Sequence, residues 1–149
     1  MRLKTTILLL SLSVWLPNQL NAQSDSLAQS ETLRDTTVIT YYPNGIPHKQ
    51  TTYDEEGYVD GVYMQFRQTG SIQKMEHYRK GRLHGSFLKI NNRGKIKEEG
   101  RYVNGKLDGQ HQKYYYDGKK QEQSNYKDGL KNGKAIWYYT NGNMSTMLN

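Results

Sequence analysis

Four histidines, His48, His77, His84 and His111, are the side chains with which this 149-residue chain could ligate a metal or relay a proton. Metal sites draw their ligands from short local spacings, and none of the four stands three or four residues from another. Acid–base work could fall to the adjacent carboxylates Glu55-Glu56 and Glu98-Glu99. Neighbours along a strand point to opposite faces, so neither pair forms a dyad. No nucleophile elbow and no phosphate-cradling glycine loop before a helix is present. A Ser-His-Asp grouping is spatial and is not read from sequence. The chain has no cysteine, hence no thiol, disulfide or lipid-anchored cysteine chemistry. It reads as a non-enzyme with no metal site and no cofactor.

Recognition is the better use of these residues. The 13 tyrosines all lie beyond residue 40, while aliphatic side chains are sparse. Tyrosine buries a large apolar body and keeps a polar tip, which suits interfaces. Tyr63, Phe87, Tyr115, Trp137 and Tyr139 are the candidate contact residues, because they alternate with a second set expected to pack.

The elements that position them follow from a 24-residue beat. Gly57, Gly81, Gly105 and Gly129 keep it, as do Gly61, Gly85, Gly109 and Gly133, and Gly70, Gly94, Gly118 and Gly142. A fixed period means one supersecondary unit copied and stacked. Within a copy, Lys95–Tyr102 alternates: Ile96 and Tyr102 are expected on one face, with Lys95, Lys97, Glu99 and Arg101 on the other. Val103–Gly109 is a glycine-bearing loop, Gln110–Tyr116 a second strand, and Asp117-Gly118 a predicted type I′ hairpin turn. Tyr53, Tyr78, Tyr102 and Tyr126 each follow a turn glycine by eight residues, and Phe66, Ile90, Tyr114 and Tyr138 each follow the Gly61 track by five. Both sets are expected to form side-chain ladders. The predicted fold is all-β: an elongated, twisted, single-layered antiparallel meander of about ten strands, built from about four and a half hairpin repeats.

Residues 1–22 read as a secretory signal peptide: Arg2 and Lys4, an apolar run over 7–16, Pro17, and Ala22 at a cleavage site. The run is about half of what spans a bilayer. Residues 23–37, rich in Ser, Thr and Gln, read as a flexible polar linker, and 38–149 as the repeat domain. The expected address is exported: periplasmic, cell-surface or secreted. Residues 41–149 carry 18 Lys and Arg against 11 Asp and Glu, the same +7 as the whole chain, with signs interleaved.

The run Tyr126-Lys127-Asp128-Gly129-Leu130-Lys131-Asn132-Gly133, continuing through Trp137-Tyr138-Tyr139 to Gly142, resembles the MORN repeat in its bacterial variant form. The same pattern stands at 102–118, 78–94 and, with one extra residue before Gly57, 53–70. His111 and Ala135 depart from the bulky aromatic of the family. The resemblance implies a β-hairpin array, sometimes dimeric. Bacterial chains of this kind are labelled YwqK-type antitoxins, and eukaryotic relatives are linked to membrane attachment and protein scaffolding. Three partner classes follow. A protein partner at the envelope comes first. A cell-wall polysaccharide is the alternative, since Tyr114–Tyr116 and Trp137–Tyr139 are similar to aromatic clusters of glucan-binding repeats. An anionic membrane is the third. Export argues against nucleic acid. The last strand, 143–149, is an expected edge for self-association or for docking of a partner strand.

Overall fold

A computed structural model describes residues 35–148. The expectations for residues 1–34, the signal peptide and most of the linker, lie outside the described residues. Eleven strands follow one another: β1 (Thr36–Tyr41), β2 (Pro47–Tyr53), β3 (Val59–Phe66), β4 (Ile72–Arg79), β5 (Arg82–Ile90), β6 (Ile96–Val103), β7 (Lys106–Leu107), β8 (Gly109–Tyr114), β9 (Lys120–Lys127), β10 (Leu130–Tyr138) and β11 (Met144–Leu148). They form a single antiparallel meander in sequence order. The short β7 and β8 both pair with β6, so the eleven segments fill ten strand positions, as the repeat predicts. Thr36 and Thr37, read as linker, already pair with Tyr53 and Thr52.

Two kinds of turn alternate, and the sequence reading placed them the wrong way round. The two-residue type I′ turns are at Lys80-Gly81, Asn104-Gly105 and Asp128-Gly129, where both residues of each pair have positive φ. At Asp117-Gly118 only the glycine does. There the Gly118 N–H donates to the Tyr115 carbonyl and the Tyr115 N–H to the Lys119 carbonyl, which is a three-residue loop closed by a glycine bulge. Tyr115 and Tyr116 therefore belong to the turn, and the second strand stops at Tyr114. The extra residue before Gly57 converts the first copy's turn, Asp54–Tyr58, to this wider form, with Asp54 Oδ1 accepting from the Glu56 and Tyr58 N–H groups.

A second irregularity corrects the face pattern. Opposite the Lys89/Ile90 step, β6 carries an extra residue, so Glu98 pairs with Lys89 but Ile96 pairs with Ile90. Paired residues share a face, so the bulge moves Ile96 away from the face of Glu98 and Tyr102 to that of Leu88 and Ile90.

The tyrosine register is as expected. Tyr78, Tyr102 and Tyr126 stand opposite Gly61, Gly85 and Gly109. The companion row is not the expected one. Each tyrosine packs on the residue two positions after its glycine: Tyr78 on Tyr63 (6.2 Å between ring centroids), Tyr102 on Phe87 (4.9 Å) and Tyr126 on His111 (5.5 Å). Phe66, Ile90, Tyr114 and Tyr138 lie at strand ends beside the bulges instead.

Successive copies are fastened at both ends. The N–H groups of Gly81, Gly105 and Gly129 donate to the carbonyls of Val59, Leu83 and Leu107, each at 2.8 Å. At the other end, the Tyr42, Arg67, Asn91 and Tyr115 side chains donate to the carbonyls of Phe66, Ile90, Tyr116 and Tyr138. These bonds hold register where a thin apolar core cannot. Among the described residues, Phe87 and Ala135 are the buried apolar side chains.

Gly100 is the glycine off the beat with an ordinary φ, and packing explains it. A Cβ there would lie 2.9 Å from Phe87 Cε1 and 3.1 Å from His111 Cδ2. Both rings are buried and have little room to yield. Gly100→Ala is expected to destabilise by about 1–3 kcal/mol, read as a lowered urea midpoint with unchanged slope.

Candidate binding surfaces

One face of the sheet joins aromatics to charges. Pairing carries the row Thr51–Tyr63–Glu76–Phe87–Gly100 across β2 to β6, and on through His111, Ser124 and Ala135 to Leu148 on β11. A parallel row runs Gln65–Lys74–Lys89–Glu98–Lys113–Glu122–Trp137. The Lys74–Glu76 ion pair at 3.0 Å and the Glu98–His111 Nε2 hydrogen bond at 2.9 Å join the two, and Lys89 pairs with Glu98 at 2.8 Å within the second. Burial alone would raise the Glu98 carboxyl, but hydrogen bonds from Lys89 and His111 bring it below the ordinary range.

Glu122 is the strongest case. Its side chain is 9% exposed and accepts from Ser124 Oγ at 2.7 Å and Lys131 Nζ at 2.8 Å, with Lys113 Nζ at 3.5 Å. Burial opposes ionisation, yet these partners overcome it and depress its pKa to about 2. On the same face the Tyr78 hydroxyl is pushed up to about 12, first by burial and then by the Glu76 carboxylate. Tyr114, on the opposite face, reaches about 12 through burial and its bond to Glu99. Glu98 and Glu99 thus point apart, as their adjacency requires.

The candidate contact residues do not form one patch. Phe87 is 2% exposed and packs between Tyr102 and His111, so it is a core residue and not a contact residue. Tyr63 is half-buried against Tyr78, with Lys74 Nζ 4.9 Å from its ring centre. Trp137 has Lys131 Nζ over its ring at 4.6 Å. Tyr115 and Tyr139 sit in turns, the first committed through its hydroxyl to the Tyr138 carbonyl, the second 56% exposed. His48, His77, His84 and His111 are on β2, β4, β5 and β8.

The pairing of His111 with Glu98, and of Ser124 with Glu122, was not singled out from sequence. The usable signal was positional: His111 follows Gly109 by two, as Tyr63 follows Gly61 and Phe87 follows Gly85, and Glu122 follows Glu98 by 24.

Exposed apolar side chains gather at one end of the sheet. Of the nine large ones exposed among the described residues, five belong to β10, β11 and their turn: Leu130, Tyr139, Met144, Met147 and Leu148. All of β11 is exposed, and its outer edge pairs with no strand among the described residues. An edge of this kind offers unpaired N–H and C=O groups together with apolar side chains.

Residues 34–55, 107–128 and 131–149 match the family model of the MORN repeat variant. The intervening residues 56–106 fold into the same paired strands and turns. No curated protein matches the chain.

Proposed function

The chain carries MORN repeat variants, interaction repeats of a non-catalytic family, and from that premise we propose that it is an exported scaffold binding a partner protein at the cell envelope. The observation that carries the reading is the exposed apolar edge at β11, with Met144, Met147 and Leu148, and Tyr139 in the turn before it. A partner strand added there gains main-chain hydrogen bonds for affinity and apolar contacts for specificity. The N-terminal basic–apolar–small pattern supports an address outside the cytosol. An antitoxin-like role is the special case in which the partner is itself an exported toxin.

The test is a double variant, Met144→Lys with Met147→Lys. Both positions are exposed, so stability is expected to change by no more than about 0.5 kcal/mol per site. Capture of a stoichiometric partner from the envelope fraction is expected to fall at least tenfold. Undiminished capture would remove β11 as the docking edge. A dimer of the chain alone in sedimentation, dissolved by the same variant, would reassign the edge to self-association.

A further inference from the structure

At the end of the meander opposite the type I′ turns, the aromatic-and-charged face opens into a concavity of about 530 Å³. Its volume falls in the usual range of ligand sites, about 300–1,000 Å³. Four cations line it, Arg67, Lys74, Lys89 and Lys97, and no carboxylate does. Charges interleave along the sequence, so it is strand pairing and not a charged run that builds this wall of one sign. Glu76 and Glu98 neutralise Lys74 and Lys89 from behind. Arg67 gives only two of its guanidinium N–H groups, to the Ile72 and Ile90 carbonyls, which carry no net charge, and Lys97 has no ion-pair partner among the described residues. Two uncompensated positive charges therefore remain.

The rest of the lining suits a hydroxylated ligand. Tyr115 and Tyr116 bring aromatic surface to the rim. The Tyr116 ring is held by Arg93 stacked 4.6 Å from its centre and by its hydroxyl bond to Asn92, and the residue stays half exposed. A hexose presents an apolar C–H face that lies flat on such a ring. Gln65 and Gln73 line the same space, and their side-chain amides make no hydrogen bond among the described residues. Each can both donate to and accept from a sugar hydroxyl. Cations for a carboxylate, amides for hydroxyls and a tyrosine rim for the ring are the complement of an acidic sugar.

We infer that this cleft is a binding site for an acidic oligosaccharide, its carboxylate held between Arg67 and Lys97 and a sugar ring resting on Tyr116. The site is separate from the β11 edge and from the scaffold reading that rests on it.

The experiment is an amide NMR titration of the full chain with tri-galacturonate, with maltotriose and inorganic phosphate as parallel arms. Saturating shifts are expected at Asn92, Lys97, Tyr115 and Tyr116 with tri-galacturonate. Lys97→Ala, at an exposed bulge position, is expected to weaken binding about fivefold, as loss of one solvent-exposed charge contact implies. Lys134→Ala, an exposed cation on β10 away from the cleft, is expected to leave it unchanged. Equal saturation by maltotriose would show that charge is not recognised. Equal saturation by phosphate would reduce the cleft to a simple anion site. No shift, or shifts outside the cleft, would overturn the assignment outright.

Discussion

Replacing Phe87 with alanine is expected to lower the unfolding free energy by about 3 kcal/mol, the lower end of the range for deleting a buried phenylalanine. The ring is 2% exposed and stands between Tyr102 at 4.9 Å and His111 at 6.0 Å, with Gly100 beneath it. A single sheet has no second layer to close over the space left behind. It can relax from the solvent side, which sets the effect at the low end. With a urea slope of roughly 1.5–2.5 kcal/mol/M, the midpoint falls by about 1–2 M. Tyr139→Ala is the comparison: the side chain is 56% exposed in a turn, and a change within about 0.5 kcal/mol is expected. Similar losses for the two would mean that Phe87 is not a packing centre. The fourth copy carries Ala135 at the equivalent position, itself 4% exposed, so the repeat accepts a small side chain where the surroundings were built for it.

The second large effect is on acid stability. Glu122 titrates near 2 in the folded chain against an ordinary value of 4.5. A carboxyl depressed on folding contributes stability above the unfolded value and loses it as pH falls through the folded one. The difference corresponds to about 3 kcal/mol, present at neutral pH and withdrawn between pH 4.5 and about 2. Glu122→Gln removes the charge but keeps the shape. The wild-type chain should therefore exceed the variant by about 3 kcal/mol at pH 7, and the two should converge near pH 2. Denaturant titrations at several pH values read this directly. Parallel curves across that window would mean that Lys131, Lys113 and Ser124 do not act on Glu122 as their geometry requires.

Much of this architecture is legible in the chain because glycine and tyrosine are placed by backbone demands that repeat. A glycine where φ must be positive, and a tyrosine opposite a glycine bulge, recur every 24 residues whatever stands between. Turn type was not legible from Asp117-Gly118 alone. It depends on how many residues separate the last paired positions, and that count depends on where the strand stops. Asp117 keeps a negative φ and uses Oδ1 to accept from the Lys119 N–H, whereas Asn104 takes φ of 50° in the tighter turn. The face of Ile96 was misread for the same reason, since one bulged residue reverses every later side chain on the strand. The demotion of Phe87 from contact residue to core has a different cause. Alternation says which residues share a face; it does not say which face carries the rings and ion pairs that bury it. The Glu98 and Glu122 networks needed cross-strand neighbours 9 to 13 residues away in sequence, which strand pairing alone supplies.

The central claim is that the copies lie side by side in one sheet, with each beat tyrosine fixed opposite a beat glycine. Cross-strand backbone NOEs measure it most directly. Contacts at Gly61–Tyr78, Gly85–Tyr102 and Gly109–Tyr126, recurring in all three copies, are the predicted result. A shift of partner by even one residue in any copy, or helical sequential contacts within 36–148, would contradict it.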